Sequence, residues 1–257
     1  MNNANICILI LSTKAESYRG FITSIENSWY KEAVNKGFKV FFYSGGHSEN
    51  CVYSHNEIRV TEADSIENCY RKFVSAKNVL LDNYPDVELI YRTNLSSYID
   101  ISNFSKYINK CSFDNDSYHG VQGKANLWSE IFFKNKYLHL LLKYLHLGPK
   151  VSFFSGAGFF IGTKLCNTLS LDDSKNYLID DVEIGRQITK FKAHNVKYER
   201  IYVTDSYVKI KKKDLDVLVN DFMLFHYKFK TSDRNADIDN VAKFSSLDFR
   251  SNLLTTS

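Results

Sequence analysis

The chain has 257 residues, of which 44% are hydrophobic and 24% are charged. This balance excludes a disordered or fibrous chain, and two prolines and eleven glycines leave no room for a Pro- or Gly-rich linker. A formal net charge of +4 is too small an excess for a dedicated duplex-DNA binder, so we expect no nucleic-acid partner.

The cysteines and the apolar runs bear on the compartment. The five cysteines are scattered and never form a Cys-x-x-Cys pair, which argues against zinc and against a disulfide framework and suits a reducing compartment. The apolar run at 6–11 is shorter than a signal-peptide core, and no run approaches the ~18 residues of a membrane span. We therefore expect a cytoplasmic protein without a transmembrane segment.

The first 110 residues predict alternating strands and helices. Strands are expected over 5–12, 38–43 and 88–93, and helices over 17–36 and about 64–82. Gly37 follows the first helix as a C-cap residue commonly does, and Thr61 with Asp64 forms a capping box ahead of the second helix. The first strand is apolar throughout, as in strands buried on both faces. This pattern indicates a doubly wound α/β fold.

The second half is less regular and predicts a mixed α+β continuation of the same domain. Short strands are expected over 118–123, 151–162 and 196–204, and helices over 138–147, 182–191 and 237–247. The lysines at 209 and 211–213 are most simply a solvated surface, although they could contact an anionic membrane surface.

Four segments are candidates for chemistry. They are 92–97 (Arg-Thr-Asn-Leu-Ser-Ser), 155–162 (Ser-Gly-Ala-Gly-Phe-Phe-Ile-Gly), 179–185 (Ile-Asp-Asp-Val-Glu-Ile-Gly) and 225–230 (Phe-His-Tyr-Lys-Phe-Lys). The first of them directly follows the third predicted strand. Ligands of open α/β sheets bind beyond the carboxyl ends of the strands, so this abrupt polar step is the first place to look for a site.

Each segment also has a purely structural interpretation. Arg92 could pair with a surface carboxylate, and Asp180 with Asp181 could cap the helix that follows them. His226, between aromatic residues, is typical of a core histidine. The glycines in 156–158 lack the strand-to-helix context of a dinucleotide loop and indicate a strand that another group approaches closely.

In their order and spacing, these segments resemble glycosyltransferases of the GT-A fold, and among them the fringe and β-1,3-galactosyltransferase group. The resemblance covers about residues 5–230. It begins with the strand Ile-Leu-Ile-Leu-Ser-Thr and with Arg19 ahead of a helix that carries Trp29. Three further stretches are similar to family motifs: 64–72 to Asp-x-Tyr-x-Asn-Leu-x-x-Lys, 148–162 to Pro-x-Tyr-x-x-Gly-x-Gly, and 180–185 to acidic-Asp-Val-x-x-Gly.

One departure from the family concerns metal. The family carries Asp-x-Asp at the end of the third strand, and its carboxylate binds a manganese ion that bridges the donor diphosphate. This chain has Asn94-Leu95-Ser96 there, and neutral oxygens cannot replace the charge that holds a hard divalent cation. Either Mn or Mg binds weakly or not at all, or the protein no longer catalyses the family's reaction. If a metal binds, Asp100, on the same face as Asn94 by strand alternation, or His226 would hold it.

The resemblance implies a single GT-A-like domain, a Rossmann-type mixed sheet with flanking helices. Residues 1–110 would bind a nucleotide-sugar, a UDP-sugar above all, and 111–257 would bind the acceptor and carry catalysis. The expected reaction transfers the sugar, with inversion, to a hydroxyl of a glycan or glycoconjugate. Asp181, or else Asp180, would be the base. The alternative is a catalytically silent domain that binds glycan or nucleotide-sugar.

Without a metal, cationic side chains must meet the donor diphosphate. The residues expected to bind the donor are Arg19, Arg92, Thr93, Asn94, Ser96, His226, Lys228 and Lys230. Those expected to line the acceptor and sugar side are Ser155, Gly156, Ala157, Gly158 and Phe159.

Overall fold

A computed structural model describes residues 2–128, 135–145, 148–172, 180–189, 194–197, 200–203 and 224–244. The lysine run at 209–213 lies outside the described residues. Within the described residues, no helix is both long and apolar enough to span a bilayer.

The strands and helices occur in this order along the chain. The strands are Ile6–Leu11 (β1), Lys39–Ser44 (β2), Cys51–Ser54 (β3), Glu57–Arg59 (β4), Leu89–Asn94 (β5), Ser97–Ile99 (β6), Ser117–Asn126 (β7), Lys150–Gly162 (β8), His194–Lys197 (β9), Ile201–Val203 (β10) and His226–Phe229 (β11). The helices are Arg19–Ile25 (α1), Lys31–Asn35 (α2), Cys69–Asn83 (α3), Ile101–Lys110 (α4), Lys136–Tyr144 (α5), Thr163–Cys166 (α6), Asp180–Ile188 (α7) and Arg234–Lys243 (α8).

The strands form a large mixed sheet and a small one. The eight-stranded sheet has the order β3-β4-β2-β1-β5-β8-β7-β9, and the three-stranded sheet has the order β10-β11-β6. β1 runs parallel to β2 and β5, as the sequence predicts for its first three strands, and β8 is antiparallel to both β5 and β7. The predicted α/β class with a mixed sheet and flanking helices is confirmed.

The alternation of β1 explains its uniformly apolar sequence. Ile6, Ile8 and Ile10 belong to one hydrophobic cluster, whereas Cys7 and Leu9 belong to a second one. Because successive side chains of a strand point to opposite faces, the two clusters lie on the two sides of the sheet. Neither face of β1 is open to solvent, so a ligand can reach it only at its ends.

The helix predicted over 17–36 is interrupted. Between α1 and α2 the chain widens into a π-helical turn, Glu26–Tyr30, in which Ser28 has the non-helical angles φ −111° and ψ −106°. The Ser28 hydroxyl donates to the carbonyl of Ser24 at 2.6 Å, a side-chain bond of the kind that competes with regular helix. The widened turn holds Trp29, whose indole N–H donates to the Ser97 carbonyl at 3.2 Å. Trp29 thereby anchors β6, next to the polar end of β5.

Two further sequence predictions are wrong, and three short strands were not predicted. Asp64 does not cap a helix: its carboxylate bonds the loop after β1, and α3 begins only at Cys69. The strand predicted over 196–204 is two strands in different sheets, because the chain leaves β7 before it joins β11. The hairpin of β3 and β4 and the short strand β6 were not expected, since each is too brief to show a periodic pattern.

Candidate active site

Polar side chains converge where β5 ends beside the interior of β8, close to α7 and β11. β5 pairs with β8 so that Arg92 lies opposite Phe159, and Thr93 opposite Gly158. The Thr93 hydroxyl donates to the Ala157 carbonyl at 2.9 Å. Because β5 is parallel to β1, its carboxyl end lies at the same edge as the loop after β1. The four candidate segments therefore meet at one edge of the sheet.

A buried ion pair lies beneath this edge. Arg92 is 2% exposed and Asp180 is 7% exposed, and their guanidinium and carboxylate groups are directly paired. The Nε of Arg92 also donates to the Tyr43 hydroxyl at 3.3 Å. Burial lowers the pKa of the Arg92 guanidinium, but the negative charge of Asp180 raises it, and the net effect is a raised pKa. Arg92 is thus not a surface residue, and its partner is the first residue of α7.

Asp181, next in the chain, faces the site differently. Its Oδ2 accepts a hydrogen bond from the Gly156 N–H at 2.9 Å, and its Oδ1 accepts one from the Val182 N–H at 2.9 Å. A carboxylate has about four lone-pair sites, so both oxygens retain room for another donor. Burial and the charge of Asp180 raise the pKa of Asp181 to about 6, against the lowering effect of the Gly156 bond. A carboxylate so placed can take up a proton near neutral pH.

The glycines of β8 are required by close approach. A Cβ on Gly156 would lie 2.7 Å from a guanidinium nitrogen of Arg92, and one on Gly158 would lie 2.5 Å from the imidazole of His226. Phe159, expected to contact a sugar, is fully buried and packs edge-on against Phe73 at a centroid distance of 6.0 Å. The strand alternates, so Phe159 faces the core and this placement does not suit contact with an acceptor. Ser155 and Ala157 keep part of their surface exposed.

His226 is a buried, fixed imidazole. Its Nδ1 lies 2.7 Å from the Tyr91 hydroxyl and accepts from the Nε of Arg200 at 3.2 Å. Arg200 also donates to the Gly158 carbonyl at 2.7 Å. Burial, with the charges of Arg200 and Lys228, holds the pKa of His226 well below its usual range. The ring is neutral and, with Nδ1 accepting, carries its proton on Nε2.

Arg200 also belongs to this polar cluster, and the sequence alone did not predict it. It is 5% exposed and links β8 to β11, with a further bond to the Ser155 hydroxyl at 3.3 Å. It stands in no motif, and nothing in the residues around it distinguishes it from a surface arginine. Only the crossing of the chain between the two sheets brings it to the site.

The ammonium group of Lys228 lies at positions 94–96, where the family has its Asp-x-Asp motif. The Nζ of Lys228 donates to the Asn94 Oδ1 at 2.5 Å and also to the Ser96 hydroxyl. The Ser97 hydroxyl donates to the same Asn94 oxygen at 3.1 Å. Lys228 lies on β11, opposite Ser97 of β6, so the small sheet carries the ammonium to the end of β5.

A second polar group forms at the end of β1. The Asp64 carboxylate accepts from the Thr13 hydroxyl at 2.7 Å, the Lys14 N–H at 2.7 Å and the Lys72 ammonium at 2.8 Å. Burial opposes its ionisation, but these bonds outweigh burial and hold the Asp64 pKa below its usual value. A cavity of about 310 Å³ opens beside this loop. Its lining residues are Ser12, Thr13, Lys14, Ala15, Glu16, Arg19, Ile22, Glu26, Phe42, Ser44, Asn56 and Glu57.

Two residues expected to bind the donor lie apart from the cluster. Arg19 lines the cavity but is largely exposed and pairs with Glu16 at 3.2 Å. Lys230 follows the end of β11 and is exposed, and its backbone N–H bonds the Val203 carbonyl. The structure thus gathers the other predicted donor residues and leaves these two at the periphery.

Comparison with known proteins locates the fold. The chain is similar in fold to a glycosyltransferase. That enzyme is involved in the glycosylation of the major capsid of PBCV-1, and its crystal structure superposes with a TM-score of 0.51 at 11% identity, covering 92% of this chain and 98% of that one. No protein-family model and no curated protein matches the sequence. The likeness supports the glycosyltransferase fold and does not single out the fringe and β-1,3-galactosyltransferase group.

The residues at this edge of the sheet do not fit the divalent metal of the Asp-x-Asp enzymes. The two lone pairs of the Asn94 oxygen are taken by Lys228 and Ser97, and the acceptor nitrogen of His226 is taken by Tyr91 and Arg200. Within the described ranges, no three His, Cys, Asp or Glu side chains group as metal ligands.

Asp100 does not compensate for the missing carboxylates. The chain turns at 95–96, so strand alternation from Asn94 does not reach Asp100, which instead caps α4 by accepting from the Asn103 N–H at 3.0 Å.

Proposed function

We propose that the protein is a nucleotide-sugar-dependent glycosyltransferase that inverts the anomeric centre, with Asp181 as the base. The observation that carries this proposal is the placement of Asp181. Its carboxylate is fixed by the Gly156 N–H, keeps lone pairs available, and has a pKa of about 6. General bases work best when their pKa lies near the operating pH.

The reaction assigns each group a step. Asp181 takes the proton from an acceptor hydroxyl as that oxygen attacks the anomeric carbon, and the bond to the nucleoside diphosphate breaks on the opposite side. Arg92 acts through Asp180, which it holds at the start of α7, rather than by touching the donor. Ser155 and Ala157 of β8, which are partly exposed and are bonded to Arg200 and Thr93, would contact the acceptor.

The donor would lie along the carboxyl ends of the parallel strands. The cavity beside the loop after β1 is large enough to take part of a nucleoside, and Asp64 keeps that loop in place through Thr13 and Lys14. Ligands of open α/β sheets bind at this edge. UDP-sugars are the first donors to test.

A thermal-shift screen across nucleotide-sugars tests this proposal. A donor present at 100 times its dissociation constant stabilises the fold by ~2.7 kcal/mol, which is readily measured. Hydrolysis of the bound donor separates the enzyme from a silent binding module, because active glycosyltransferases leak sugar to water. Binding without any hydrolysis or transfer would favour the silent module, and no binding to any donor would overturn the proposal.

We expect excess EDTA to slow sugar transfer by less than about tenfold, or ~1.4 kcal/mol of transition-state stabilisation. The reason is that no carboxylate stands at positions 94 and 96, so a divalent ion arriving with the donor would be held weakly. The measurement compares initial rates with EDTA and with added manganese. Loss of all activity with EDTA, restored by micromolar manganese, would contradict this expectation.

A further inference from the structure

The ammonium of Lys228 has unused binding capacity. It carries three N–H groups, of which two donate to Asn94 and Ser96. Both acceptors are neutral, and no carboxylate of the described residues forms an ion pair with Lys228. When it is protonated, Lys228 therefore has a third donor and a positive charge that its described partners leave unbalanced.

The surroundings add to this positive charge. Arg200 and Arg92 come from neighbouring segments, and Arg234 comes from α8, where it is paired with Asp237 at 3.0 Å. Burial and these arginines hold the pKa of Lys228 well below its usual range, and Asp237 offsets them only in part. An anion bound at this point would remove the electrostatic penalty, as a nearby opposite charge favours the charged form.

We propose that the Lys228 ammonium, held by Asn94 and Ser96 at the end of β5, binds the diphosphate of an anionic ligand in place of a divalent cation. The inference rests on the proposed function for its ligand, a nucleoside diphosphate. Lys228 would present a point charge to the phosphate oxygens. The nucleoside diphosphate is the leaving group of the transfer, so this charge would lie next to the group that departs.

This arrangement explains the sequence departure at 94–96. Two carboxylates there would pair with Lys228 and cancel its charge, whereas an amide oxygen and a hydroxyl position the ammonium and leave the charge in place. The neutral residues at 94 and 96 and the lysine at 228 then form one unit of the site. In both kinds of site a positive group, a metal ion or an ammonium, would face the diphosphate.

Binding of inorganic pyrophosphate tests the proposal directly. In the presence of EDTA, we expect the wild-type protein to bind pyrophosphate in calorimetry and the Lys228→Met variant to bind it at least tenfold more weakly. Lys106→Met, which removes the same charge from an exposed position on α4, should bind like wild type. A Lys228→Arg variant covers the case in which Lys228→Met fails to fold, and it should retain part of the binding.

The converse variant tests the exchange of cation types. Asn94→Asp and Ser96→Asp combined with Lys228→Ala should bind manganese, detected by loss of the free-ion electron paramagnetic resonance signal, whereas wild type should leave that signal unchanged. Wild-type binding of pyrophosphate that requires manganese, or equal binding by Lys228→Met, would overturn the inference. If Lys228 governs pyrophosphate binding but no nucleotide-sugar binds or reacts, the proposed function fails and the anion site stands. If sugar transfer occurs and Lys228→Met binds pyrophosphate as the wild type does, the proposed function stands and the anion site fails.

Discussion

Replacing Asp181 with Asn is expected to lower turnover by ~10²–10⁴ while donor binding persists, because an amide oxygen keeps the shape of the carboxylate but cannot accept a proton. Turnover and donor affinity are measured separately, by initial rates at saturating donor and by calorimetry. The amide nitrogen would face the Gly156 or Val182 N–H, so the free energy of unfolding is measured alongside.

The pH dependence gives an independent check on the same residue. The Asp181 pKa is about 6, and the base must be deprotonated to act, so the rate of transfer should fall as the pH drops below about 6. Asp82→Asn, at an exposed position of α3, is the matched control and should match wild type at every pH. Full activity of Asp181→Asn with loss in Asp180→Asn would move the role to Asp180. Full transfer activity of both variants would show that neither carboxylate is the base.

Replacing Asp180 with Asn is expected to lower the free energy of unfolding by about 3 kcal/mol, the cost of leaving a buried charge without its partner. The charge left behind is that of Arg92, which is 2% exposed. A guanidinium cannot escape the penalty by losing its proton, whereas a carboxylate can by gaining one. Arg92→Met should therefore cost less than Asp180→Asn. Urea denaturation of both variants measures the difference.

A double variant separates loss of charge from loss of shape. Arg92→Met combined with Asp180→Leu removes both charges, and apolar replacement of a buried pair is often neutral or stabilising. We expect the double variant to be more stable than Asp180→Asn alone and to lack activity, because α7 no longer holds Asp181 in register. A stability of Asp180→Asn equal to that of wild type would show that the pair is not buried as described.

The parallel strands β1, β2 and β5 are the part of the fold that local sequence determines. β1 reads as a strand buried on both faces because every residue of Ile6–Leu11 is apolar, and the polar step after Tyr91 marks the end of β5. Gly37, predicted to end the first helix, follows the C-cap residue Lys36 and has a positive φ of 88°, a conformation that favours glycine. These features depend on neighbouring residues alone, so a single sequence reveals them.

Contacts between distant segments lie beyond local patterns. Asp64 has the spacing of a capping residue, yet a loop 50 residues earlier takes its carboxylate. Asp180 and Asp181 are adjacent and chemically identical, but the helix turns one toward Arg92 and leaves the other with lone pairs available. Periodicity cannot distinguish them, because what differs is the partner each one meets.

By itself, the sequence determined the α/β class, the edge of the sheet at which polar residues collect, and the absence of carboxylates at 94 and 96. Only the tertiary structure decided that Arg92 is paired with Asp180 in the interior and that Arg200 joins the site. It also decided that Lys228 bonds Asn94 and Ser96, which are 134 and 132 residues away in the sequence. The physical reason is the sequence separation over which the interactions act. Strand burial and turns are fixed by near neighbours, whereas the charge balance of a site is the sum over groups that the chain brings together only after both sheets have formed.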